Sequence, residues 1–150
     1  MICVLRFLKR LIAVYRQKTQ DVAPGMFDEI IPNLYLGDEQ DFKHCGVTKP
    51  YLFVDARGFY NTLSGDANAD ELQVEPLMII SQACARLVER GIYVMVYCQA
   101  GMERSPFLVA LILNQMGRGT IEDCYNFVKK KHPQTIQYKQ WVDGFTSQAS

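Results

Sequence analysis

The sequence predicts a single-domain α/β fold with a central, mostly parallel twisted sheet of about four or five strands flanked by helices. Two apolar runs, over positions 51–54 and 92–97, are too short for helices and are typical of strands buried on both faces. Segments with helical apolar spacing lie between and after these runs. The length of 150 residues suits one domain with one core.

The second apolar run leads into a loop and then into an almost wholly apolar helix. The loop comprises the eight residues Cys98–Ser105, and the helix is bracketed by Pro106 near its start and Gly117 just past its end. Backbone N–H groups at a helix start lack partners, and the helix dipole adds positive charge there. The sequence therefore predicts an anion-binding loop between a buried strand and a buried helix.

Three residues of this loop indicate phosphate chemistry. Gly101 lets the backbone curl so that successive N–H groups point inward. Arg104 supplies a planar guanidinium that can hold two phosphate oxygens. Cys98 lies at the floor of this positive field, which favours its thiolate form. The predicted phosphate-binding residues are Gln99, Ala100, Gly101, Met102, Glu103 and Arg104.

The spacing of Cys98, Arg104 and Ser105, with Gly101 between them, resembles the signature of the cysteine-dependent protein tyrosine phosphatase superfamily. The chain is most similar to the small dual-specificity branch, because the segment FDEIIPNLYLG, which begins at Phe27, resembles the usual opening of such domains. The segment FVKKKHP, which ends at Pro133, resembles their closing helix. The resemblance places the catalytic domain at residues 27–147.

This resemblance implies a phosphoric monoester hydrolase that needs no metal or cofactor. Cys98 would attack phosphorus, Arg104 would hold the phosphoryl oxygens, and Ser105 would donate a hydrogen bond to the departing sulfur. The expected substrates are proteins that carry phosphotyrosine, with phosphoserine and phosphothreonine as further targets.

Hydrolysis also needs an acid for the leaving oxygen, and the irregular acidic stretch after Gly58 is the natural place for it. The candidates are Asp66 and Asp70. The resemblance favours Asp66, because Glu71 and Leu72 follow it at the spacing usual in the family. Asp70 and a merely solvated acidic loop remain alternatives.

Two features depart from the family pattern. Tyr97 stands where the family usually has a histidine that helps to orient the loop, and Glu103 places a carboxylate next to Arg104. Tyr97 keeps open a second reading, a catalytically weak pseudophosphatase that binds phosphorylated partners. A third reading changes the substrate to a phosphoinositide, an RNA 5′-phosphate or a phosphoglycan. Arg57 is read as a solvated loop residue or as an aid to phosphate binding.

Charge is balanced overall but uneven along the chain. Sixteen basic and sixteen acidic side chains give no bulk attraction to nucleic acid. Five bases precede the first acid, Asp21, so the leader is basic and the remainder acidic. Residues 1–20 are predicted to form an amphipathic basic helix. It would either pack on the domain or contact a membrane surface or partner protein.

The five cysteines are an odd number without close pairs, which indicates neither a disulfide framework nor a zinc site. A reducing, cytoplasmic compartment is the simplest prediction. Cys84 and Cys124 fall on apolar helix faces and are expected in the core. Trp141 is expected there too, whereas His44 and His132 are read as loop and helix-end residues. The basic run that ends at His132 is attributed to helix-dipole complementarity.

Overall fold

The described residues form a four-stranded central sheet, in which the first, second, sixth and third strands of the chain lie side by side in that order. The computed structural model describes residues 26–46, 50–61 and 71–149. A two-stranded ribbon, β4-β5, lies beside the sheet. The strands are β1 (Asp28–Ile31), β2 (Leu34–Asp38), β3 (Tyr51–Asp55), β4 (Tyr60–Asn61), β5 (Glu71–Leu72) and β6 (Tyr93–Cys98).

The described residues form five α-helices. Asp38 and Thr120 each cap a helix through a reciprocal capping box. A short 3-10 helix, Ala56–Phe59, follows β3. The α-helices are α1 (Glu39–His44), α2 (Val74–Glu89), α3 (Arg104–Gln115), α4 (Ile121–Lys131) and α5 (Lys139–Ala149).

The strand β6 lies between two parallel neighbours. Its register places Cys98 beside Asp38 at the end of β2, and Tyr97 beside Asp55 at the end of β3. The carboxyl ends of these three strands therefore meet at one edge of the sheet, where open α/β sheets bind their ligands. The β3 strand was predicted to be buried on both faces, but it is an edge strand in which only Val54 is fully buried.

The two faces of the sheet are packed differently. Val94, Val96 and Cys98 point toward the large core, which is formed mainly by α2, α3, α4 and α5. Met95 and Tyr97 point to the other face, where a smaller and largely aromatic cluster lies under α1. This separation follows from the alternation of side chains along a strand.

Several predicted features lie outside the described residues, namely the leader helix over 1–20 and the loop segment 62–70 that contains Asp66 and Asp70. Tyr60 and Leu72, which are described, pair with each other in the ribbon. Among the helices of the described ranges, none combines the length and apolar character required to cross a bilayer. The proposed boundaries of the catalytic domain, 27–147, stay a prediction.

Candidate active site

Cys98 is the last residue of β6 and lies at the base of the predicted loop. Its side chain is almost completely buried, and its Sγ is 3.1 Å from the Oγ of Ser105, which is fully buried in the first turn of α3. The hydroxyl can donate to a thiolate or accept from a thiol. The sulfur is therefore held between the end of the sheet and the start of a helix.

Gly101 forms the left-handed bend of the loop, with φ = 64°. A Cβ atom at this position would lie 2.8 Å from the carbonyl oxygen of Gly37, at the end of β2. Both the backbone conformation and the close approach therefore require glycine. The loop is seated directly on the turn that connects β2 to α1.

The carbonyl groups of the loop are held by donors from outside it. The backbone N–H of Glu39 donates to the oxygen of Gln99 at 3.4 Å. The segment 132–138, which connects α4 to α5 and is called the anchoring turn here, supplies the next two contacts. In these, His132 Nε2 lies 2.6 Å from the oxygen of Gly101 and the N–H of Ile136 donates to the oxygen of Met102 at 2.7 Å.

These anchors determine which way the loop amides point. In a trans peptide unit the C=O and the following N–H lie in one plane and point in opposite directions. Because the three carbonyls point out to their anchors, the N–H groups of Ala100, Met102 and Glu103 point to the opposite side, the inside of the loop. A concave row of N–H groups of this kind binds anions.

Arg104 begins α3 and is half-buried. Its carbonyl oxygen accepts a hydrogen bond from the hydroxyl of Tyr60 at 3.1 Å, which ties the start of the helix to the ribbon beside the site. The Tyr60 ring packs in turn against the buried Trp141, whose predicted place in the core is confirmed. The hydrogen bond from Tyr60, which is itself packed on Trp141, therefore holds the backbone of Arg104 in place.

The Glu103 carboxylate has a hydrogen-bond partner in the anchoring turn. The hydroxyl of Tyr138 donates to Glu103 Oε1 at 2.6 Å. This contact ties the side chain of Glu103, which departs from the family pattern, to the anchoring turn.

The rim of the site carries an ion pair at the carboxyl end of β3. Arg57 donates from Nε and Nη2 to Asp55, with Nη2 2.6 Å from Oδ2, and Nη1 lies 3.7 Å from Glu39. These hydrogen bonds from Arg57 hold the pKa of the Asp55 carboxyl below its usual range. Arg57 is therefore more than a solvated loop arginine, but its charge is matched by carboxylates.

Tyr97 precedes the cysteine but points to the aromatic face. Its ring stacks on Phe42 of α1, with centroids 4.5 Å apart and planes 2° from parallel. Burial, reinforced by the nearby carboxylate of Asp55, raises the pKa of this phenol. The residue therefore serves as part of the packing under α1.

Sequence reasoning missed the importance of His132. The side chain was read as a helix-end residue, yet it is buried against Gly101, and its Nδ1 lies 2.6 Å from Asp28 Oδ2 in β1. The partners are 31 and 104 positions away in the chain. No local periodicity or spacing could have linked them.

The other described cysteines are remote from this chemistry. Cys84 and Cys124 are buried in the core as predicted, and burial raises the pKa of Cys84 to about 12 and also that of Cys124. The four cysteines of the described segments form no disulfide with one another. Within those segments no three His, Cys, Asp or Glu side chains converge in an arrangement that could hold a metal ion.

Comparison with known proteins finds a similar chain and several solved structures of the same fold. Protein 123R of Invertebrate iridescent virus 6, which carries the name of a tyrosine phosphatase, is 29% identical over 136 residues, covering 79% of this chain and 96% of its own. The structure of human DUSP28 superposes with a TM-score of 0.59 at 17% identity, covering 85% of this chain and 95% of its own. The structure of PTPMT1 in complex with PI(5)P gives 0.56 at 16% identity, with coverages of 83% and 99%. No protein-family model matches the chain.

These likenesses agree with the resemblance of the sequence to the protein tyrosine phosphatase superfamily. The solved structures, at 16–17% identity, show that the chain shares the fold of DUSP28 and PTPMT1. The comparisons support a phosphatase, an enzyme of the phosphoric monoester hydrolase class. The single-domain α/β fold with a mostly parallel sheet is confirmed.

Proposed function

We propose that this phosphatase hydrolyses phosphotyrosine, and also phosphoserine and phosphothreonine, in protein substrates through a cysteinyl-phosphate intermediate. The observation that carries the proposal is the contact of 3.1 Å between Cys98 Sγ and Ser105 Oγ at the base of the loop. A nucleophile and a hydrogen-bond donor for that nucleophile lie beneath the inward-pointing amides. Asp66 is proposed as the general acid.

In the first step the Cys98 thiolate attacks phosphorus. The Sγ–P bond forms while the bond between phosphorus and the ester oxygen breaks, and Asp66 gives its proton to that oxygen. The Arg104 guanidinium and the loop N–H groups hold the three equatorial oxygens, where the transition-state charge lies. The leaving group departs as a neutral hydroxyl.

In the second step water releases the phosphate. Asp66, now a carboxylate, takes a proton from the water as its oxygen bonds to phosphorus and the Sγ–P bond breaks. The electron pair of that bond returns to sulfur, and the buried Ser105 hydroxyl stabilises the resulting thiolate by donating to it. Phosphate leaves and the enzyme is restored.

The charges at the rim favour a protein substrate over a polyphosphorylated one. Glu39 and Asp55 are carboxylates beside the loop, and the cation of Arg57 is already engaged by both. A head group with several phosphates would meet net negative charge there, whereas a single phosphate on a neutral or basic peptide would not. PTPMT1 has been seen with PI(5)P, and at 16% identity that likeness concerns the fold.

The test compares wild-type enzyme with Cys98→Ser on an aryl phosphate, a panel of phosphopeptides and a panel of phosphoinositides. Loss of the nucleophile is expected to lower kcat by roughly four orders of magnitude or more. Tungstate should still bind to the serine variant, because the amides and Arg104 remain. Hydrolysis by Cys98→Ser at the wild-type rate would refute the mechanism. Tungstate binding without turnover in the wild-type protein would instead support the pseudophosphatase reading.

The same assay separates the two acid candidates. Asp66→Asn is expected to lower kcat by about 10²-fold to 10⁴-fold on phosphopeptides, as loss of a general acid does, whereas Asp70→Asn should change it by less than about threefold. The effect of Asp66→Asn should shrink on an aryl phosphate whose leaving group needs no proton. The reverse pattern would assign the acid to Asp70.

A further inference from the structure

We propose that His132 and Asp28 form a positioning pair that orients and polarises the Gly101–Met102 peptide of the phosphate-binding loop. The inference rests on the proposed function and adds two residues outside the loop to its machinery. It starts from two contacts of His132, each 2.6 Å long, that reach Gly101 O on one side and Asp28 Oδ2 on the other.

The two hydrogen-bond partners of the His132 imidazole determine where its protons lie. A carbonyl oxygen can only accept, so His132 Nε2 must carry the hydrogen that lies between it and Gly101. At 2.6 Å, Nδ1 and the Asp28 oxygen also need a proton between them, because two lone pairs would otherwise face each other. The pair therefore holds one shared proton and gives the loop a charge-assisted donor.

The orientation of Met102 N–H depends on this donor. Gly101 has a positive φ. Because glycine adopts positive and negative φ about equally readily, its own backbone preference does not fix the orientation of the Gly101–Met102 peptide plane. Anchoring the Gly101 oxygen outward turns the Met102 N–H inward by the planarity of the peptide unit. A positively polarised partner on the oxygen also strengthens that N–H as a donor to phosphate.

His132 is itself held firmly. Its N–H donates to Val128 at 2.8 Å, and its carbonyl oxygen accepts from the hydroxyl of Thr135 at 2.7 Å. Lys129 Nζ donates to the carbonyl oxygens of Pro133 and Thr135, which closes the turn. The imidazole therefore reaches the loop from a rigid support, on the side of the sheet opposite to Tyr97. His132 therefore supplies an imidazole to a loop in which Tyr97, and not a histidine, precedes Cys98.

The experiment measures kcat/KM for an aryl phosphate, the inhibition constant of vanadate, and Tm, for His132→Leu, His132→Gln and Asp28→Asn. His132→Leu is expected to lower kcat/KM by about 10-fold to 100-fold and to raise the vanadate constant in parallel, because an inward amide is lost. His132→Gln places an amide donor near the Nε2 position and should recover at least several-fold over leucine. A role in packing alone would not give this rescue.

Asp28→Asn tests the charge. The amide can donate to Nδ1, so the Nε2–H contact persists while the shared proton is removed, and a loss of about threefold to tenfold is expected. The Asp28 side chain is 44% exposed, so this variant should fold. His44→Leu is the matched control, because His44 is the other histidine of the chain and lies exposed at the end of α1. It should leave both constants unchanged.

The proposal would be overturned if a folded His132→Leu protein had the wild-type inhibition constant for vanadate. It would also be overturned if His132→Gln had a kcat/KM no higher than that of His132→Leu. If His132→Leu does not fold, wild-type constants in both His132→Gln and Asp28→Asn overturn it instead. Tungstate affinity by calorimetry gives the same comparison without turnover. Failure of the positioning pair is therefore distinguishable from failure of the proposed function.

Discussion

The two faces of the central sheet differ in packing and in function, although β6 contributes side chains to both. On the helical face, Val94, Val96 and Cys98 are completely or almost completely buried beneath the apolar α3. On the aromatic face, Tyr97 and Phe53 are covered by the short helix α1, whose Phe42 remains 37% exposed. Cys98 therefore lies on the densely packed helical face, whereas Tyr97, the residue before it, lies on the less densely covered aromatic face.

The largest expected difference between the faces is in stability. Phe107→Ala removes a fully buried ring that packs against Tyr125, Trp141 and Phe145, and it should lower the free energy of unfolding by about 4 kcal/mol. Phe42→Ala on the aromatic face should cost about 1 kcal/mol, because the ring is partly exposed and loses mainly its stack on Tyr97. Urea denaturation of both variants measures the contrast, and equal losses would contradict it.

The next effect is on catalysis and compares two positions next to the sulfur. Ser105→Ala removes the donor to Cys98 and should lower kcat by about 10-fold to 100-fold. A burst of product should appear, because breakdown of the cysteinyl-phosphate becomes slow. Tyr97→Phe keeps the stack on Phe42 and should change kcat by less than about threefold. Stopped-flow kinetics of the two variants tests whether the faces are separable, and a large effect of Tyr97→Phe would show that they are not.

The smallest effect concerns the ion pair at the rim. The pKa of Asp55 is lowered by Arg57, so its stabilising contribution is present above the unfolded-state pKa near 4 and is lost as pH falls through the folded-state value. Both side chains are more than one-third exposed, so Asp55→Asn should cost no more than about 0.5 kcal/mol at pH 7. The difference from wild type should vanish near pH 2. A difference that grew at low pH would contradict the assignment.

Local patterns predicted much of the fold. The apolar run of β6, the capping residues Asp38 and Thr120, and the apolar faces of the helices each encode their element within a few residues. The edge position of β3 was not predicted, because a short apolar run looks the same whether a strand has one neighbour or two.

By itself the sequence determined the loop and its reactive groups. A cysteine after a buried strand, a glycine in the bend, and an arginine and a serine at a helix start are neighbours in the chain, so their chemistry could be inferred from their spacing. Only the tertiary structure decided how the loop is held open. Its carbonyls are bound by Glu39, His132 and Ile136, which come from separate elements. A backbone carbonyl accepts from any donor that folding brings near it, and this proximity is set by the packing of the whole domain.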